Sequence, residues 1–361
     1  MFLRVTCLII AFVHVSSACT PQAAESGPQT TVTPTETSQL QANAEAGDAS
    51  AQLALGRAYQ DGKGVPQDYT LAAKWYQKAA EQGNAVAQNN LGIMYRTGSG
   101  VEKNKEEAVK WYGLASRQKN ASAMFNLGTA YYNGDGVEVD DVTAYAWFLL
   151  AEEAGSKAAI EAARRSEAEM KPGGIDQGLL KVAGMYETGI DLNLDLTESI
   201  LWYRKAAEKG NAEAQIKLAN LLVEVPHNYD EARSWCEIAA KNHPAGAYCL
   251  GRFYRTGVGV SRDPEAAEKW FQKAAWFGDA PSMLQLGEMY WNGEGVKANK
   301  ITAYMWMLLA FSCREAEAGP EALSLQREMS KKEIEKAQEK AREFLRKRPF
   351  AHLRVPAPVS N

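Results

Sequence analysis

Three groups of residues have the types and spacings that chemistry would need. Ser116-Arg-Gln-Lys119 spells Ser-x-x-Lys, in which a lysine one helical turn on can activate a serine for acyl transfer. That chemistry also uses Ser-Asp-Asn and Lys-Thr-Gly segments, which the chain lacks, and Ser116 falls at a helix end with no pocket to serve. His227, Cys236, His243 and Cys249 lie close together and suggest a metal. A helix from about Tyr229 to Lys241 would hold the two histidines roughly 24 Å apart, too far for one ion, so no metal site is expected. Gly-x-Gly recurs at 62–64, 98–100, 134–136, 257–259 and 293–295. A phosphate cradle needs a strand before the glycines and a helix after them, whereas here a helix precedes each, so turn geometry accounts for them and no cofactor is expected. Asp61, Asp135 and Glu294 beside these glycines are too sparse for a calcium loop.

The elements carrying these residues follow a beat. Leu55-Gly56, Tyr59, Gly62, Gly64-Val65, Trp75-Tyr76 and Ala79-Ala80 return as Leu91-Gly92, Tyr95, Gly98, Gly100-Val101 and Trp111-Tyr112. They return again as Leu127-Gly128, Tyr131, Gly134, Gly136-Val137 and Trp147-Phe148, a step of 36 residues each time. A fixed period in this range belongs to arrays whose units bury a core only by stacking on neighbours. Within each unit Leu91 and Tyr95 share one face of a first helix, A. Ala108, Trp111, Tyr112 and Ala115 make the stripe of a second helix, B. Later copies drift: one at Val182-Ala183 lacks the second loop glycine. One at Leu218-Ala219 replaces the glycine loop by Val225-Pro226-His227, and two more restore the pattern from Leu250 and Leu286.

The pattern Leu-Gly-x-x-Tyr-x-x-Gly-x-Gly-Val followed by Ala-x-x-Trp-Tyr-x-x-Ala-Ala resembles the Sel-one-like repeat, a relative of the tetratricopeptide repeat, over residues 43–348. The resemblance implies an all-α, right-handed superhelical α/α solenoid of about seven helix-turn-helix repeats. A longer echo is superposed: Thr143-Ala-Tyr-Ala-Trp-Phe-Leu-Leu-Ala151 returns as Thr302-Ala-Tyr-Met-Trp-Met-Leu-Leu-Ala310. The expected organisation is a block of three repeats (42–151), a helical insert (152–177) and a block of four (178–314). Capping helices (315–348), where Met329, Ser330, Ile334 and Ala337 match the family's closing helix, and a flexible tail (349–361) follow.

Residues 1–18 read as a signal peptide, with one charge at Arg4, an apolar run and small residues before Cys19. Ser-Ala-Cys19 resembles a bacterial lipobox, with Ser16 where a leucine is usual, and marks Cys19 for lipidation. Residues 19–41, rich in Thr, Pro, Gln and Ser, form a disordered tether. The expected location is the periplasm-facing outer membrane as a lipoprotein, or the periplasm as a soluble protein.

Cys236 and Cys249 fall about equally far from the turn between their helices, which sets them at similar height. In an oxidising compartment a disulfide would close a short loop and add about 3 kcal/mol; two buried free thiols are the alternative, and Cys313 has no evident partner.

In the related superhelices helix A lines a concave groove. Helical spacing opposite the packed Leu-Gly-Tyr face then selects Arg57, Gln60, Asn89, Arg96, Phe125, Tyr132, Asn220, Tyr248, Arg252, Arg255, Glu288 and Trp291. Arginines and aromatics dominate interface energetics, and Arg57, Arg96, Arg252 and Arg255 suit an acidic segment. The net charge of −4 gives no pull toward nucleic acid. These readings imply a non-catalytic scaffold or adaptor of the bacterial cell envelope that binds a protein or peptide in the groove. A cell-wall or polysaccharide-associated module is the alternative. A penicillin-binding or β-lactamase-like activity, described for some relatives, is the second alternative.

Overall fold

An Asp or Asn stands before most of the helices, and its side-chain oxygen accepts the free backbone N–H three residues on. Asp48, Asp68, Asn84 and Asn104 cap in this way, as do Asp140, Asp263, Asp279 and Asn299. Most A helices end on a left-handed glycine that completes the turn, such as Gly98 at φ 77°.

The computed structural model describes residues 34–224, 228–313 and 318–347. Every regular element among them is a helix, eighteen in all. None of these helices is long and apolar enough to cross a membrane. The chain divides into two units.

The first unit runs to Ala123 and includes Asp135–Val137. Its helices are α1 (Pro34–Glu45), α2 (Ala49–Asp61), α3 (Tyr69–Glu81), α4 (Ala85–Thr97) and α5 (Lys105–Arg117), each packed on the next. Helices α2 and α4 are of type A, α3 and α5 of type B. Tyr76, Ala79, Leu91 and Met94 form their core. Gly92 is required by the approach of the B helix, because a Cβ there would lie 2.6 Å from the Tyr112 ring. Residues 34–41, assigned to the tether on composition, are helical in α1: Leu40 and Ala44 pack against Leu55 and Trp75, contacts that composition does not reveal. The rest of the tether, the signal segment and Cys19 lie outside the described residues.

The second unit comprises Met124–Gly134 and the chain from Glu138. It begins within α6 (Ala121–Asn133) and continues through α7 (Asp141–Glu153), α8 (Lys157–Glu169), α9 (Gly174–Thr188), α10 (Leu196–Glu208) and α11 (Ala212–Glu224). It goes on through α12 (Tyr229–Ala239), α13 (Pro244–Thr256), α14 (Pro264–Trp276), α15 (Ala280–Asn292), α16 (Lys300–Ser312), α17 (Ala318–Arg327) and α18 (Lys331–Arg346). Here α6, α9, α11, α13 and α15 are A helices, and α7, α10, α12, α14 and α16 their B partners. The expected insert, 152–177, is helical in two pieces. It breaks after Met170, where Pro172 and the left-handed Gly173 (φ 89°) stop α8, and α9 starts inside it.

B helix α7 carries both α8 and α9, and B helix α16 carries both α17 and α18. Tyr145 of α7 donates to Glu167 of α8, and Tyr304 of α16 donates to Gln326 of α17. Both pairs span 22 residues, so the echo seen in sequence is an echo of packing. Ser330 and Glu333 close α18 at its start with a capping box.

The fifth repeat is built differently. Helix α12 has eleven residues, and Asn228 before it makes no side-chain cap. A disulfide instead joins Cys236 of α12 to Cys249 of α13, with Cα atoms 5.8 Å apart. His243 caps α13 through Nδ1, which accepts from the Ala245 N–H. Cys313 is a free thiol whose pKa burial pushes up.

Candidate functional site

On six of the seven A helices one position sits sixteen residues before the residue that follows the B-helix tryptophan. These positions are Gln60, Arg96, Tyr132, Glu187, Arg255 and Trp291, and their B residues are Tyr76, Tyr112, Phe148, Tyr203, Phe271 and Met307. In two of the repeats whose B residue is tyrosine, its hydroxyl bonds the A-helix position of the same repeat. Tyr76 donates to Gln60 Oε1 at 2.6 Å and Tyr203 to Glu187 Oε2 at 2.5 Å. Burial raises the Tyr112 pKa, and the charge of Arg96 acts on that phenol in the opposite sense.

Where the B residue carries no hydroxyl, the A-helix position turns elsewhere. Tyr132, above Phe148, donates to Glu169 of α8 at 2.6 Å. Arg255, above Phe271, donates through Nη1 to Gln285 and Glu288 of α15, 2.6 Å each, and through Nε to Glu294 at 3.0 Å. Arg262 adds a 2.6 Å bond to the other Glu294 oxygen. Burial works against the Arg255 charge, but the bonds to Glu288 and Glu294 outweigh it and raise the pKa. Burial would likewise raise the Glu294 pKa, but the two arginines lower it below the ordinary value. Trp291, above Met307, packs against the apolar core of the last repeats.

This arrangement corrects several sequence-based assignments. Asn89 is buried, not presented on a face, and Trp291 is half-buried. Phe125 packs on Phe148 with ring centroids 5.7 Å apart. Arg255 and Glu288 neutralise each other between neighbouring repeats, so Arg255 is no free cation for an acidic partner. Arg96 is half-buried beside Tyr112, while Arg57 stays exposed on α2. Glu294 and Arg262 were missed. Their signal was the acid inside Gly293-Glu-Gly295, whose arginines lie 32 and 39 residues away and off the repeat step. Asp135 inside Gly134-Asp-Gly136 has the same use, held by Lys105.

What remains presented is on α11 and α13. Asn220 and Arg252 are exposed, and Arg252 lies 6.0 Å from the centroid of the half-buried Tyr248 ring. Between these helices is a hollow of about 410 Å³, within the range of ligand pockets. Val223, Phe253, Val258 and Cys249 give it apolar walls, and Asn220, Arg252, Thr256 and Glu224 give it polar ones. It offers a cation, a carboxylate and neutral polar groups beside an apolar floor. Ser116, fully buried at the position of Ala80 and Ala275, cannot meet a substrate. Among the described residues no three His, Cys, Asp or Glu side chains converge as metal ligands, and His227 lies outside them.

Comparison with known proteins places this architecture. The chain is 37% identical over 102 residues to an uncharacterized protein of Neisseria meningitidis serogroup B, covering 28% of this chain and 21% of that one. Chitin synthase regulatory factor 3 of Schizosaccharomyces pombe is 32% identical over 102 residues, covering 26% of this chain and 11% of its own length. The chain thus spans about a fifth or less of these curated relatives. A solved structure of a protective antigen with an SLR fold from uropathogenic Escherichia coli is 26% identical, covers 93% of each chain and superposes with a TM-score of 0.35. The Sel1 repeat family matches at residues 49–84, 85–120, 121–156, 177–211, 212–243, 244–275 and 280–313, seven copies over more than half the sequence. With the A/B hairpins found at these places, the chain belongs to the Sel1 repeat family.

Proposed function

We propose that this chain is a non-catalytic adaptor of the bacterial cell envelope that captures a segment of a partner protein on the A-helix face of α11 and α13. Proteins of the family typically serve as protein-interaction scaffolds. The observation that carries the reading is the Arg252 hollow. Its cation is paired with none of the described carboxylates, while its neighbour Arg255 is fully committed to Glu288 and Glu294. A partner segment bearing a carboxylate beside an apolar residue would satisfy both parts of the site. The regulatory role in the name of the fission-yeast relative accords with a scaffold. Export through residues 1–18 would bring the chain to its partner, lipidated at Cys19 on the outer membrane or soluble in the periplasm.

A photo-crosslinking residue placed at Asn220 in the native cell tests this. The expected result is a discrete adduct with one protein, strongly reduced by Arg252→Glu and absent when the crosslinker sits at Leu201, an exposed residue on α10. Adduct formation indifferent to Arg252→Glu removes the proposal. Fractionation of the wild type and Cys19→Ala decides the anchor.

A further inference from the structure

The B helix of the first repeat and that of the sixth are nearly the same text. Trp75-Tyr-Gln-Lys-Ala-Ala-Glu-Gln-Gly83 becomes Trp270-Phe-Gln-Lys-Ala-Ala-Trp-Phe-Gly278. The structure shows what the changed pair does in each place. In the first repeat Glu81 accepts from Gln77 at 2.9 Å, and Gln82 reaches Gln52 at 2.7 Å. Both serve the array. In the sixth, Trp276 and Phe277 take these positions and are 49% and 59% exposed.

Exposure of two adjacent large aromatics needs a reason, because burying either would be favourable. They border a hollow of about 530 Å³ between α14, α16 and α18, whose inner wall is Trp306 stacked edge-on to Phe344 at 5.0 Å. On α14, Lys269, Gln272, Lys273 and Trp276 form an i, i+3, i+4, i+7 stripe along its rim. No carboxylate lines the hollow, and the exchange of Glu81 for Trp276 removes the acid that stands there in the first repeat. Lys273 is held in place by the Ala240 carbonyl at 3.0 Å and by the Trp270 ring.

We propose that this hollow binds an acidic saccharide. A pyranose ring presents a face of C–H groups, which packs on an indole, and a rim of hydroxyls, which the lysine ammonium groups can bond; the Gln272 amide nitrogen is itself bonded to Glu268. Lys269 and Lys273 pair with a carboxylate or phosphate substituent. The concavity and the Trp306–Phe344 wall suit a seated ring more than the flat plane of a bilayer. The site lies on B helices and α18, separate from the Arg252 hollow, and stands or falls independently of it.

The test uses the full chain and the double variant W276E/F277Q, which installs the pair that the first repeat already tolerates, together with K269Q. Each is applied to an array of immobilised oligosaccharides carrying uronates, carrying phosphates, or neutral. Retention on acidic members should fall roughly tenfold in W276E/F277Q and several-fold in K269Q, with R252E unchanged. Retention of no oligosaccharide, or equal retention by the double variant, overturns the proposal. So does a blank array combined with sedimentation on phosphatidylglycerol vesicles that W276E/F277Q abolishes, which assigns the hollow to a membrane surface.

Discussion

The Tyr76 hydroxyl donates to Gln60 Oε1 at 2.6 Å, linking a B helix to the A helix sixteen residues upstream. The same link joins Tyr203 to Glu187. Replace the phenol by a phenyl ring, as nature does at Phe148 and Phe271, and the A-helix side chain is released to a neighbour instead. In these four repeats the hydroxyl goes with a bond inside the repeat, and its absence with a bond to a neighbouring helix. Tyr76→Phe should cost about 1 kcal/mol, read as a lower urea midpoint with unchanged slope. Adding Gln60→Ala to it should cost less than Gln60→Ala alone, since the pair acts as one.

Arg255 should be a stability residue. Arg255→Met leaves Glu288 without its cation and Glu294 with Arg262 alone, and about 2 kcal/mol should be lost in chemical denaturation. Acid should act in the same direction. The folded Glu294 pKa lies below the ordinary glutamate value of about 4.3, so the native state binds fewer protons there. Its stabilisation is present above that value and disappears as pH falls through the folded pKa. In the Arg255→Met variant this acid sensitivity should shrink.

Alkali should unfold the array before it would unfold a protein with ordinary tyrosines. Burial pushes Tyr76, Tyr186 and Tyr290 up to about 12, while unfolded tyrosine ionises near 10. Between these values the native state holds the protons that the unfolded chain releases, so stability falls as pH rises. A thermal midpoint that is flat from pH 10 to 12 would contradict this.

The Cys236–Cys249 disulfide should matter most where local restraints are fewest. Helix α12 lacks the side-chain cap of the other B helices, so Cys236→Ala should remove about 3 kcal/mol and raise hydrogen exchange first in α12. Intact mass of the exported protein should rise by two hydrogens on reduction.

Gly92→Ala should be destabilising although alanine is the better helix former. Its Cβ would lie 2.6 Å from the Tyr112 ring, and relieving the overlap should cost on the order of 1–3 kcal/mol, measurable by calorimetry. The same change at Gly113, on the open side of α5, meets nothing and should be neutral or better.

Most of the fold was legible because the array repeats its instructions. Leu91, Gly92, Tyr95 and Trp111 have counterparts in most copies, so period and helical spacing suffice to place them. The site was legible only in part. Helical spacing set Arg252 and Arg255 on one face, yet one is exposed and the other is clasped by two carboxylates. That difference comes from partners in the next repeat, which the pattern of a single repeat does not contain. The α8–α9 break was hidden for a related reason: a Pro-Gly pair inside a charged stretch reads as an interruption, and only packing on α7 shows that a new repeat begins there.

The echo between α7–α8–α9 and α16–α17–α18 has a bearing on how such chains grow. Ile175 and Val182 of α9 correspond to Ile334 and Ala341 of α18 at a constant offset, so the terminal helix stands in the seat of a repeat opener. Its outer side is charged where α9 receives α10. The last junction among the described residues therefore has its socket painted over with lysine and glutamate. A few polar-to-apolar exchanges on α18, followed by a grafted copy of residues 189–313, would lengthen the chain by a whole block without redesigning any interface.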